Sequence, residues 1–139
     1  GVTGNVTVNG GHLALTNATV TGNMSIQGSS GFSIGPGTTI EGALTIESVA
    51  SGSAASKICE THVNGNTQVS SNAIPILIGS PQNTCFGNTF GGNVQIESNT
   101  RAVSFFDNAV TKSVACSRNS KISGGGDTAQ KLGGQCSTF

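Results

Sequence analysis

The chain has 139 residues and no net charge, with 6 basic and 6 acidic side chains and only 9% charged residues, against about 25% in an ordinary globular domain. A neutral chain with dispersed bases and no Trp or Tyr lacks the electrostatic footprint expected for nucleic acid or anionic lipid. Its longest apolar run, from Ala73 to Ile78, is too short to span a bilayer. Gly, Ser, Thr and Asn supply roughly half of the residues, a composition that suits flexible linkers. Aliphatic and β-branched residues nevertheless recur at regular intervals, which disordered chains do not show, so order is expected.

The recurrence is an internal repeat. A first unit opens Val2-Thr3-Gly4-Asn5-Val6-Thr7-Val8, and a second opens Val20-Thr21-Gly22-Asn23-Met24-Ser25-Ile26. The third, from Ile40 to Ile46, has Ala43 in place of Asn. Val63 to Val69 and Phe90 to Ile96 open two more, and a degenerate sixth begins at Val110 with Lys112-Ser113 where Gly-Asn stood. Within each opening, apolar residues alternate with polar ones: Val6/Val8, Met24/Ile26, Leu44/Ile46, Val94/Ile96 and Val114/Cys116. Such period-two alternation marks a strand with one buried face. A second alternating pair follows in most units: Leu13/Leu15, Phe32/Ile34, Ile76/Ile78 and Val103/Phe105. Each unit is therefore expected to hold two or three short strands joined by Gly-rich bends.

A β-sandwich and a β-solenoid both accommodate short strands at this spacing. The aligned columns favour the solenoid, because equivalent residues of successive coils stack about 4.8 Å apart. Asn5, Asn23, Asn66 and Asn93 occupy one column, each preceded by Gly, and are expected to form a ladder in which side-chain amides bond to one another. The sequence thus predicts an all-β fold, a single-stranded parallel β-helix of about six coils. Residues 1–139 form one domain with coils starting near 2, 20, 40, 63, 90 and 110, and a C-terminal cap over about 123–139. No cap and no leader are visible at the N-terminus, so Gly1 is expected to be a processed or truncated start. The open first rung is a candidate for self-association.

The Gly-Asn turns and paired inward aliphatics resemble right-handed parallel β-helix proteins. From Cys59 to Cys136 the chain resembles a family of small secreted bacterial β-helix proteins of unassigned function. Val63 to Val94 match its V-x-G-N-x-x-V, Pro-containing strand, Cys and G-N-T-x-G-G-N-V pattern. Cys116, Gly124 to Gly126 and Gly134-Gln135-Cys136 match its C-terminal end. The resemblance implies a fold and a secreted location, but no activity.

Four cysteines allow three pairings. Cys59 and Cys85, and Cys116 and Cys136, are each about one coil apart, which places them on neighbouring rungs within disulfide reach. The expected pairing is Cys59–Cys85 and Cys116–Cys136, consistent with an oxidising, extracellular compartment. No C-x-x-C or zinc spacing occurs, so neither a metal nor another cofactor is expected.

Candidate chemistry is sparse. Glu47 and Glu97 share an outward column two rungs apart with Ser70 between them. Their separation of about 10 Å exceeds the ~9.5 Å upper end for a hydrolytic carboxylate pair. The enzyme alternative is a polysaccharide lyase or hydrolase whose site is built by two insertions, 48–58 and 70–86. It would need Glu47, Glu60 and Lys57 to converge. His12 and His62 are read as bend or surface histidines, and Gly124 to Gly126 as a turn. Among the sequons at Asn5, Asn17 and Asn23, only Asn17 is expected to be accessible. An ice-binding alternative rests on the column Thr19, Thr39, His62, Thr89, Ala109 and Thr128, which His and Ala interrupt. Of the phenylalanines, Phe32, Phe90, Phe105 and Phe106 are expected to point inward, and Phe86 to be an exposed contact. The leading expectation is a secreted, non-enzymatic structural or surface module that contacts carbohydrate or another cell-surface polymer.

Overall fold

The computed structural model describes residues 1–50, 55–82 and 84–139. Among these there is no helix, and every strand pairing is parallel. The first coil holds β1 (Val6–Asn9) and β2 (His12–Leu15). The second holds β3 (Thr19–Val20), β4 (Met24–Gln27) and β5 (Gly31–Ile34). The third holds β6 (Thr38–Ile40), β7 (Leu44–Glu47) and β8 (Ser56–Ile58). The fourth has β9 (Thr61–Val63), β10 (Thr67–Ser70) and β11 (Ile76–Ile78). The fifth has β12 (Thr89–Phe90), β13 (Val94–Glu97) and β14 (Ala102–Phe106). The sixth has β15 (Ala109–Val110), β16 (Ser113–Ser117) and β17 (Lys121–Gly125), and β18 (Lys131–Gly134) adds a partial turn.

Equivalent strands stack into three sheets. The first runs β1-β4-β7-β10-β13-β16-β18, the second β2-β5-β8-β11-β14-β17, and the third β3-β6-β9-β12-β15. The protein is a β-solenoid of about six turns with three strands in a full turn. The repeat alignment is reproduced in the register: Thr7, Ser25, Thr45, Gln68, Gln95 and Ala115 follow one another across the first sheet. Alternation then decides which side chains are inside. Met24, Ile26, Leu44, Ile46, Val94 and Ile96 are buried from the first sheet, and Phe32, Ile34, Ile76, Ile78, Val103 and Phe105 from the second. Val20, Ile40, Val63 and Phe90 close the core from the third. Phe90 and Phe105 stack with ring centroids 6.2 Å apart. Phe106, expected inside, is only half-buried because it falls one residue out of phase with Phe105.

Both expected disulfides are present. Cys59–Cys85 and Cys116–Cys136 join neighbouring rungs with Cα–Cα separations of 5.0 and 5.4 Å. The segment 123–139 is less separate than a cap: β17 completes the sixth coil and β18 extends the first sheet. Closure comes from its last residues, where Phe139 packs on Gly124 and its carbonyl accepts the Asp127 N–H. Much of the two expected insertions is likewise coil. Ser56–Ile58 and Ile76–Ile78 are core strands of the second sheet, while residues 51–54 of the first insertion lie outside the described residues.

The Asn5, Asn23, Asn66 and Asn93 column behaves differently from expectation. Each Oδ1 accepts the backbone N–H of the next rung (Asn23, Ala43, Asn93 and Ser113), at 2.9 to 3.1 Å. These asparagines lie on an exposed corner and their amides do not bond to one another. Asn5 and Asn23 are therefore as exposed as Asn17, correcting the expectation that Asn17 alone is accessible. Amide-to-amide ladders occur elsewhere, in two buried columns. Asn72, Asn99 and Asn119 run to Gln135 at the corner between the first and second sheets. Asn88 and Asn108 run to Asp127 at the corner between the second and third.

Candidate functional site

A hollow of about 360 Å³ lies on the third sheet where it meets the second. Three consecutive coils line it: Gly37, Thr38 and Thr39, then Glu60, Thr61 and His62, then Gly87 and Thr89. The register that makes this possible pairs Thr39 with His62 and His62 with Thr89. These three side chains are outward-facing on their strands, so the lateral stacking of coils presents two hydroxyls and one imidazole on a single surface.

The hollow begins at the corner between the second and third sheets. Glu60 takes a left-handed φ of 46°, as do Asn17 at 51° and Asp107 at 58° on the same corner of other coils. The conformation therefore belongs to the turn of the solenoid and leaves the Glu60 side chain in solvent. Gly37, with φ of 73°, continues the turn in the preceding coil, where a side chain would be strained. At Gly87 a Cβ would collide with the Asp107 carbonyl, so only glycine lets the chain pass so close to the next rung. The floor is tied down by Thr61, whose N–H donates to Asn88 Oδ1 at 2.9 Å and whose hydroxyl donates to the Cys59 carbonyl at 3.0 Å.

Phe86 flanks the hollow. Its carbonyl accepts the Glu60 N–H at 3.1 Å, Gly87 beside it is part of the lining, and the residue is 53% exposed. The Cys59–Cys85 disulfide immediately precedes both functional candidates, Glu60 and Phe86, and so holds their two segments together. His62 Nε2 and Asn64 Oδ1 are hydrogen-bonded to each other at the end of β9. Thr38 is buried, and its hydroxyl has no partner.

The three residues of the enzyme alternative stand apart in the architecture. Glu47 ends β7 on the outer face of the first sheet, where its Oε1 accepts from Gln27 Nε2 at 2.6 Å. Lys57 is the outward residue of β8 in the second sheet, and Glu60 occupies the corner beyond it. Glu97 does follow Glu47 with Ser70 between them, but it pairs with Arg118 at 3.3 Å. His12 opens β2 on the opposite side of the second sheet from the core and lies against Gly31. Among the described residues no three His, Cys, Asp or Glu side chains come together as metal ligands.

The sequence sets Glu60 with Glu47 and Lys57, Phe86 by itself and His62 as a bend or surface residue, and does not join the three. The column Thr39, His62, Thr89 carried the missing signal, since any residue two places before His62 must sit on the adjoining corner. Comparison with family models, with curated proteins and with solved structures finds no match to this chain.

Proposed function

We propose that this chain is a secreted, non-enzymatic β-solenoid that contacts carbohydrate of a cell surface or extracellular matrix through the hollow on its third sheet. The observation that carries the reading is an exposed Phe86, whose carbonyl accepts the Glu60 N–H, at the margin of a hollow lined by Glu60, Thr39 and Thr89. Saccharides are bound by that combination: a ring face stacks on an aromatic side chain, while hydroxyls bond to fixed polar groups in a shallow depression. Two disulfides agree with an oxidising compartment, and the small secreted bacterial β-helix family that the Cys59 to Cys136 segment resembles is the setting we favour. The solenoid stacks its coils rigidly, so the site is pre-formed and little ordering opposes binding.

Against the enzyme alternative stands the distribution of Glu47, Lys57 and Glu60 over two sheets and a corner. Hydrolysis or elimination requires an acid and a base within reach of one bond. A glycan array probed with the oxidised protein, with reducing-sugar release followed in the same wells, tests the proposal. Binding without release is expected, and it is expected to weaken about tenfold in Phe86→Ala, the scale of a lost stacking contact. Sugar release would overturn the non-enzymatic reading, and binding unaffected by Phe86→Ala would move the contact away from the hollow.

A further inference from the structure

We infer that the hollow selects a cationic amino sugar, a hexosamine whose ammonium is free, over neutral and acidic sugars. The inference rests on the reading of the hollow as a saccharide site and concerns which saccharide it takes. The charge inventory is one-sided. Glu60 is the only carboxylate among the lining residues, and no Lys or Arg lines the hollow. Glu47 and Glu97, by contrast, each have a partner, Gln27 and Arg118.

The remaining polar groups agree with this polarity. When His62 is neutral, Nε2–H donates to Asn64 Oδ1, so Nδ1 is left as an acceptor. Together with Glu60 it makes the depression richer in acceptors than in donors, with Thr39 and Thr89 able to serve as either. A ligand with an ammonium, three donors and a positive charge, complements that inventory better than a ring of hydroxyls. An N-acetylated amine loses the charge. A uronate would bring a second carboxylate to Glu60, with no Lys or Arg in the lining to separate the two, and like charges at an interface are discriminated against. The same argument weighs against the acidic polysaccharides that a lyase would require. The backbone bond from Glu60 N–H to the Phe86 carbonyl keeps the carboxylate-bearing residue beside the aromatic one. In the complex we infer, one pyranose sets its apolar face on the Phe86 ring and its amino group toward Glu60.

The test uses the intact, oxidised chain in calorimetric titrations with four probes of equal length: glucosamine oligomers, their N-acetylated forms, cello-oligosaccharides and oligogalacturonate. Trilysine serves as an ammonium source without a sugar ring. Glucosamine oligomers are expected to bind about tenfold or more tightly than the N-acetylated forms, with oligogalacturonate weakest. Glu60→Gln, a conservative change on an exposed corner, is expected to abolish that preference while leaving the thermal midpoint unchanged. Phe86→Ala is expected to weaken all sugars alike and keep their order. Equal affinity for charged and neutral oligomers, with Phe86 still required, would overturn the amino-sugar inference and leave the saccharide site standing. Retention of the preference in Glu60→Gln would overturn the assignment to Glu60. Trilysine binding as tightly as glucosamine oligomers would reduce the hollow to a bare cation contact and also sink the inference. No binding of any oligosaccharide would sink the underlying reading as well.

Discussion

The two buried ladders share one design and end differently. In the first, Asn99 accepts from the backbone N–H and Nδ2 of Asn72, then donates to Asn119 Oδ1 at 2.8 Å and to the Val69 carbonyl at 3.1 Å. In the second, Asn108 does the same for Asn88, then donates to Asp127 Oδ1 at 3.0 Å and to the Ile78 carbonyl at 2.9 Å. The first ends on Gln135, neutral and next to the disulfide-bonded Cys136, with its Nε2 returning a bond to the Asn119 carbonyl at 2.9 Å. The second ends on a carboxylate. Where Asn88 and Asn108 turn Nδ2 to the Ile58 and Ile78 carbonyls, Asp127 has a buried oxygen, Oδ2, without a donor.

The register places the Phe105 carbonyl next in the series after Ile58 and Ile78. Two oxygens cannot bond there unless the carboxyl keeps its proton. Burial accordingly pushes the Asp127 pKa up to about 6, against the opposing hydrogen bonds from Asn108 and the Gly125 backbone, and nearby Asp107 raises it further. An amide ladder is thus indifferent to pH when a glutamine ends it, and pH-sensitive when an aspartate does.

Interrupting a ladder at its centre should have the largest effect. Asn99→Ala removes the acceptor of the Asn72 backbone N–H and leaves Asn72 Nδ2 with the Ile46 carbonyl alone. It also takes one donor each from the Val69 carbonyl and Asn119 Oδ1, which keeps the residue 99 N–H. A loss of about 2–3 kcal/mol in urea denaturation is expected. A loss below about 1 kcal/mol would mean that the column is decorative and that apolar stacking alone holds the coils.

Exchanging the two endings should have a smaller effect and sharpen the contrast. With a folded pKa above the unfolded one, Asp127 binds more protons in the native state, so its contribution to stability falls as pH rises from about 4 to about 6 and stays low above that. Asp127→Asn is expected to gain about 1 kcal/mol at pH 7, a figure reduced because half the side chain faces solvent. It is also expected to flatten stability across that window. Gln135→Glu should introduce the opposite change, losing stability at pH 7 and recovering it on acidification. Thermal midpoints recorded from pH 4 to 7 decide both, and parallel profiles for wild type and Asp127→Asn would remove Asp127 as the cause.

The exposed column should matter least. In Asn66→Ala the Asn93 N–H loses its acceptor, but water can replace it on that corner, so a cost of about 0.5–1 kcal/mol is expected by the same denaturation measurement. A cost equal to that of Asn99→Ala would erase the distinction between inner and outer columns.

Composition and periodicity by themselves determined the architecture. Residue alternation dictates which face of each strand is apolar, and unit length dictates which residues meet on neighbouring rungs, so the inward pairs, the cysteine partners and the Glu47-Ser70-Glu97 column could all be read before any coordinates. Even the buried ladders left a trace, since Asn72, Asn99 and Asn119 recur at the 27- and 20-residue intervals of the units. Spacing alone does not distinguish that trace from the Gly-Asn column, because depth is not written in it. Tertiary structure alone decided which asparagine column is buried and which corner residues take a left-handed φ without being glycine, as Ser48, Ser71, Ser98 and Arg118 do. It also decided that Glu60 and His62 share one depression, with Phe86 at its margin. Those outcomes depend on how three sheets close around a core and how their corners meet, and linear periodicity carries no information about either.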